Sequence, residues 1–413
     1  MQDSQSYRQP SLVATFGRGS AAFAELTERL MAHYKGLAKH PSVKHRFDEW
    51  HALAHDIVEA PDVAFVQQTY LSMLLRLLAR RVLEPGAGLE GADEARKVLL
   101  GDYFQVNQRV YDLAEDDLFT WPLHPALDDA ARTEGGDIAI ALFDLLAAVD
   151  TGIDPQVVSA LCADLLEGSW SVDSATLSGM EHTALIEQVG PSVLAPVSGL
   201  GVRLSEAVRM VREGMATRRD SPQVMLDHLR DNVGGLALEP VLLVAARLNY
   251  LLSLGDLKIG RHPAITLPVY MDLHNAGPTP SSDETVATFR FRSLPFPLEA
   301  PQAVLNDYVL AQRVAGAMYL YLDDYVVRSP DEDRFLSAFG SYLQGRKDIG
   351  PHLQLNDVGV LVGAMTALRR LYLPGRDLLF FTLLKHAVLS EALRRRRFDV
   401  ILAGPAPRKH QSG

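Results

Sequence analysis

VLAPVSGLGVRLSEAVRMVRE, from Val193 to Glu213, is the stretch whose reading decides the fold class. It opens on a short apolar run, Ser192 to Val197, that ends in small residues. It continues as a helical pattern in which Leu204, Val208, Val211 and Met215 fall on one face. Downstream the alternation repeats. Val233 to Leu238 is a second short run, Val241 to Leu254 a strongly apolar helix, and Ala264 to Leu273 a third run rich in Ile, Thr, Val and Tyr. Strand, helix, strand, helix, strand predicts a doubly wound α/β sheet. Right-handed crossovers then put the turn after the first strand at the carboxyl edge, where such sheets bind ligands. A last apolar run, Phe398 to Ala403, predicts one more strand.

Around this centre the chain reads as helix. Val66, Tyr70, Met73, Leu74, Leu77, Leu78 and Val82 recur at three- and four-residue steps, with Pro61 and Asp62 suited to a first turn and Pro85 and Gly86 to an end. Ile138 to Val149 and Val157 to Leu166 carry the same spacing, the second entered through Asp154 and Pro155. Beyond the third run the helical pattern returns, notably Val304 to Val327 and Val358 to Leu371. The expected fold class is therefore α/β with a large all-α portion. A helical N-terminal domain covers 1–175, a partial α/β domain covers 176–285 and 394–413, and a helical insertion covers 286–393.

Composition sets bounds. The chain has 413 residues, enough for two or three domains. Its single cysteine, Cys162, rules out a disulfide framework and a cysteine-based zinc site. The polar N-terminus MQDSQSYRQP has no apolar signal core, and no apolar run reaches the roughly 18 residues of a membrane span, so a cytoplasmic compartment is expected. The net charge of −11 argues against coating nucleic acid by bulk electrostatics. His51 and His55 stand four apart but match no metal motif, and no Walker loop or nucleophile elbow occurs. Two acidic groups, Asp323 with Asp324 and Glu115 with Asp116 and Asp117, read as structural.

Several segments resemble the large single-chain adenine-N6 DNA methyltransferases of restriction–modification and phage-defence systems. In the first half these are the aromatic stretch with Phe47 and Trp50, FVQQTYLSMLLRLLARRVL from Phe65 to Leu83, and LLGDYFQVNQ with EDDLFTW from Glu115 to Trp121. In the second half the Val193 stretch is similar to the family form LDPxCGSGTFLxxA. NVGGLALEPVLLVAARLNYLLSLGDL, from Asn232, resembles GxDxxPxAxxxAxxNYLLxLxDL. RFDVILAGPAP, from Arg397, resembles FDxVxGNPPW. The resemblance implies a Rossmann-like methyltransferase domain, with S-adenosylmethionine at the first two strands and a flipped adenine at the fourth.

The side chains that such chemistry uses are replaced here. Gly199 and Gly201 keep part of the cofactor turn, but the leading acid is Ala195 and the small residue between the glycines is Leu200. The acid expected at the ribose hydroxyls is Ala237. Glu239, two residues on, alternates to the same face as the candidate substitute, beside Pro240. The cofactor-closing segment corresponds to Thr176–Leu185 and lacks the family's residues. The Asn-Pro-Pro-aromatic tetrad that grips the flipped base reads Gly404, Pro405, Ala406 and Pro407, with neither an amide nor a ring. The family's sheet has seven strands and the fourth comes just before Gly413, so segments within 285–395 or a protein partner are expected to complete it. The run Arg394, Arg395, Arg396 and Arg397 reads as a helix end or as a DNA phosphate-contacting patch.

The function implied is a catalytically impaired methyltransferase-like protein, a scaffold or DNA-recognition component of a restriction or phage-defence system. No bound cofactor is expected. The alternative is an active S-adenosylmethionine-dependent enzyme completed by a partner chain, and a third reading is an adaptor that never touches DNA.

Overall fold

The computed structural model describes residues 11–54, 60–115, 117–149, 152–166, 177–258, 264–273, 285–326 and 331–402. They are mostly helical around a small parallel sheet. The first part holds α1 (Leu12–Phe16), α2 (Ala21–Leu37), α3 (Pro41–Leu53), α4 (Pro61–Leu83), α5 (Ala92–Leu100), β1 (Val110–Tyr111), α6 (Asp129–Ala147) and α7 (Pro155–Leu166). Serine and aspartate caps start several of these helices. Ser20 accepts a hydrogen bond from the Phe23 amide, and Asp128 accepts one from the Ala131 amide. The segments around Phe47, Phe65 and Trp121 meet in one aromatic cluster with Trp50. Its two indole N–H groups are satisfied inside the core, Trp50 donating to Gln68 (2.8 Å) and Trp121 to Thr69 (2.9 Å).

The middle part alternates as expected: α8 (Gly179–Glu187), β2 (Val193–Ala195), α9 (Val202–Thr217), α10 (Pro222–Asn232), β3 (Val233–Ala237), α11 (Pro240–Ser253), β4 (Ile265–Thr266) and β5 (Val269–Met271). The third apolar run is not one strand. Pro268 has no N–H to give a ladder, and the chain breaks there. β4 pairs in parallel with β1, while β5 pairs with β3 (Gly235 opposite Val269, Ala237 opposite Met271). The remainder is β6 (Val286–Phe289), β7 (Leu298–Pro301), α12 (Gln302–Leu305), α13 (Tyr308–Tyr325), α14 (Glu332–Gly345), α15 (Leu355–Tyr372), α16 (Leu379–Arg395) and β8 (Val400–Ile401). The expected all-helical insertion thus opens with an antiparallel hairpin, β6–β7. The helix expected from Val304 breaks at Asp307, whose side chain caps α13 by accepting from the Val309 and Leu310 amides.

The sheet runs β5-β3-β2-β8, all parallel. The chain builds outward from β2 to β3 and β5, then returns to β2's other side with β8, so the winding reverses between β2 and β8. Ser192 and Asp399 clamp that closure across 207 residues. The Ser192 amide and hydroxyl donate to the Asp399 carboxylate (2.8 and 2.7 Å), and the Asp399 amide donates back to the Ser192 hydroxyl (3.0 Å). Helices of the first part pack directly on this unit, α4 and α7 against α11, and one hydrophobic core runs through all three segments. Among the described residues no helix is long and apolar enough to cross a membrane.

Candidate functional site

The carboxyl edge of the sheet begins with the turn after β2. The Ser198 amide donates to the Leu236 carbonyl (2.8 Å), the Ser198 hydroxyl donates to the same oxygen (3.0 Å), and the Gly201 amide donates to the Ser198 carbonyl (2.6 Å). Gly199 and Gly201 both adopt left-handed backbone, at φ +49° and +76°. Their roles differ. A Cβ on Gly199 would meet nothing within 4 Å, whereas one on Gly201 would stand 2.8 Å from the Ala246 Cα, where α9 crosses α11. Gly201→Ala is therefore expected to cost about 3 kcal/mol and Gly199→Ala about 1 kcal/mol, read from urea unfolding midpoints. Equal losses would sink the packing role given to Gly201.

No carboxylate replaces the missing acids at the strand positions themselves. Ala195 and Ala237 are fully buried, Ala195 at the level of Gly235 and Ala237 at the level of Met271. Leu200 is also fully buried, and its carbonyl accepts from Asn249 Nδ2 (2.7 Å). Its side chain belongs to the core. Glu239 is half-buried at the N-cap of α11, where its side chain makes no capping bond, and it is otherwise engaged within the protein. Residues 177–185 form the start of α8 with a Ser178–Glu181 capping box, and Glu181 pairs with Arg203 of α9. Glu181 and Arg203 are thus spent on each other, and the alanines at 195 and 237 offer neither ribose nor methionine a charged partner. Gly404, Pro405, Ala406 and Pro407, like His55, Asp116 and Thr176, lie outside the described residues.

Three of the four candidate DNA-contacting arginines have intramolecular partners. Arg394 pairs with Asp272 just past β5. Arg395 donates to Glu391 (2.8 Å), Gln302 (2.6 Å) and Asn306 (2.8 Å). Arg396 reaches the Asp231 carbonyl and the Asn232 side chain (2.5 Å), so it ties the end of α16 to the start of β3. Arg397 is exposed and makes no such contact with the described residues.

A second site was not foreseen. A cavity of about 640 Å³ lies between β1, β4–β5, α13 and α16, beside the outer edge of the sheet. Its floor is a buried charge network. The Glu115 carboxylate accepts from Lys385 Nζ (2.6 Å) and Arg247 Nη1 (2.6 Å), with His386 Nε2 at 3.3 Å, and Lys385 also pairs with Asp112. His386 Nδ1 accepts from the Met271 amide (3.2 Å), which leaves Nε2 to donate to Glu115 and the ring neutral. With His386 neutral, two carboxylates and two cations sum to zero. Burial alone would push Glu115 up, and Lys385 and Arg247 more than reverse it, holding the carboxyl well below its usual range. Lys385 is held charged above the usual lysine range by Asp112 and Glu115, against the effect of burial.

Above the floor, Gln312 donates to Tyr308 (2.7 Å) beside Tyr270, and Tyr372 donates to Asp323 (3.2 Å). Arg313 and Arg376 are exposed at the mouth. A signal for the floor existed in the sequence. Arg247 is the one charged residue in an otherwise apolar helix, and Lys385 stands in an apolar stretch of its own, Leu379 to Leu389, where a charge must be buried and paired. Among the described residues no group of three or more His, Cys, Asp or Glu could hold a metal ion. Comparison with protein-family models, with curated proteins and with solved structures finds no match for this chain.

Proposed function

We propose that the chain is a DNA adenine-N6 methyltransferase-like protein without methyl transfer, retained as a scaffold of a restriction or phage-defence assembly. The observation that carries the reading is the pair of buried alanines, Ala195 and Ala237, at the strand ends where a Rossmann-like cofactor site needs acids. The parallel order with its reversal beside β2, and the glycine turn that follows β2, supply the framework the resemblance calls for. The internal partners of Arg394, Arg395 and Arg396 move the emphasis from DNA recognition toward the scaffold role.

Calorimetry with S-adenosylmethionine tests it. No saturable heat is expected up to about 1 mM ligand. Micromolar binding would overturn the dead-pocket reading and, with labelled methyl transfer to DNA in the presence of a partner chain, establish the active alternative. Glu239 is the feature that favours that alternative, as the one acid just past β3.

A further inference from the structure

We propose that the 640 Å³ cavity beside β5 binds a small molecule with a planar, uncharged heteroaromatic head and a single anionic group, of the kind a nucleoside monophosphate represents. The proposal stands apart from the reading of the sheet's carboxyl edge, because none of its residues lies in the glycine turn or at the ends of β2 and β3.

The size suits it, since small-molecule sites occupy about 300–1,000 Å³. The distribution of charge selects the chemistry. The wall carries six acids, and each is engaged: Asp112 and Glu115 by Lys385, Asp231 by Arg230, Asp348 by Arg346, Asp323 by the Tyr372 hydroxyl, and Asp102 elsewhere within the protein. Unspent capacity lies with the donors. Lys385 has three ammonium protons and two acceptors among the described residues. A ring nitrogen or carbonyl would take the third. An anion would not belong there, because Asp112 and Glu115 share that floor. Tyr319 and Phe381, with ring centroids 5.7 Å apart, line the same cavity and give it an aromatic wall suited to a flat ring.

The charged end belongs at the mouth. Arg313 is exposed there, and among the described residues it donates to the Asp348 carbonyl (3.3 Å), with the Asp348 carboxylate nearby. Arg376 has no hydrogen-bond or ion-pair partner among the described residues and is held in left-handed backbone at φ +54°. That conformation is unfavourable for an arginine, and its neighbours impose it. Asp377 is locked by Arg46 (2.9 and 3.0 Å), and Gly375 packs so closely on Ala126 that a Cβ would come within 2.6 Å of it. The loop backbone is therefore fixed where it carries Arg376 to the opening, so binding has only the arginine side chain to order there. Asp112, the acid that meets Lys385 on the floor, is left-handed as well (φ +64°).

Titration calorimetry on the full chain, with AMP, CMP, GMP and UMP as probes and adenosine and inorganic phosphate as controls, tests the proposal. At least one monophosphate is expected to bind more tightly than about 1 mM, with adenosine and phosphate each weaker by about tenfold or more. Arg376→Gly removes the guanidinium and suits the left-handed backbone, so its melting temperature should stay the same or rise while monophosphate binding falls about tenfold. No monophosphate binding, or binding that Arg376→Gly leaves unchanged, overturns the proposal. Binding of phosphate alone at equal strength removes the aromatic head, and binding of adenosine at equal strength removes the anionic group. Either result overturns it too.

Discussion

Replacing Glu115 by alanine is expected to destabilise the protein by about 4 kcal/mol, because it leaves two buried cations facing each other without their shared carboxylate. Arg247 and Lys385 each meet one oxygen of Glu115 at 2.6 Å, and all three side chains are almost wholly excluded from water. Lys385 keeps Asp112, but among the described residues Arg247 keeps only the Val269 carbonyl (2.9 Å). Urea unfolding of the variant would show the loss directly. In a double-mutant cycle, Glu115→Ala with Lys385→Met should cost less than the sum of the two single changes, since each removes a charge the other leaves stranded. A Glu115→Ala loss below about 1 kcal/mol would mean that water already reaches the network, and the argument from burial would go with it.

Acid should unfold the protein through a second buried pair. Asp377 joins the first part of the chain to the last, its two oxygens accepting from Arg46 at 2.9 and 3.0 Å with His124 beside them. Burial would raise this carboxyl, but Arg46 and then His124 dominate and bring it down to about 2. A carboxyl depressed in the folded state stabilises above its unfolded value and loses that contribution as pH falls through the folded one. The window therefore runs from about pH 4 to about pH 2, and Asp377 alone should account for about 2 kcal/mol across it. Glu115, depressed in the same direction, adds to the slope. Arg46→Met should be less stable at neutral pH and show a flatter curve between pH 4 and pH 2. A slope identical to the parent's would reject the assignment to this pair.

Much of the sheet was legible in the sequence, because a buried parallel strand is a short unbroken apolar run and its crossover helix carries a 3.6-residue period. Val193, Val233 and Val400 mark those runs, and they pair in register. What escaped was set by single residues or by distance. Pro268 split one apparent strand between two sheets. The helix Pro222–Asn232 went unread because few of its residues are apolar, with Met225, Leu226 and Leu229 buried. The β6–β7 hairpin is too short to give a period against its helical surroundings. The cavity was illegible for a different reason. Its floor gathers residues 112, 115, 247, 385 and 386 from three parts of the chain, and spacing along a sequence says nothing about such meetings. The glycine turn, by contrast, was readable in place, since the left-handed backbone at Gly199 and Gly201 is what glycine supplies.

The clamp between Ser192 and Asp399 also bears on the order in which the molecule assembles. Its partners are separated by 207 residues, so β8 can seat only after the chain between has emerged and gathered itself. Closing so long a loop from a random coil is entropically expensive, but the penalty grows only with the logarithm of length and shrinks once the intervening helices have condensed. Until then β2 has its β3 side paired and its other side bare. The nascent protein thus passes through an interval with an unprotected strand edge, a template for the wrong neighbour. Once the Arg396 bonds to the Asp231 carbonyl and the Asn232 side chain form, the end of α16 is fixed beside β3, and the search left to β8 spans only a few residues. Arg396→Met is therefore expected to slow refolding as well as to lower stability, as stopped-flow kinetics would show.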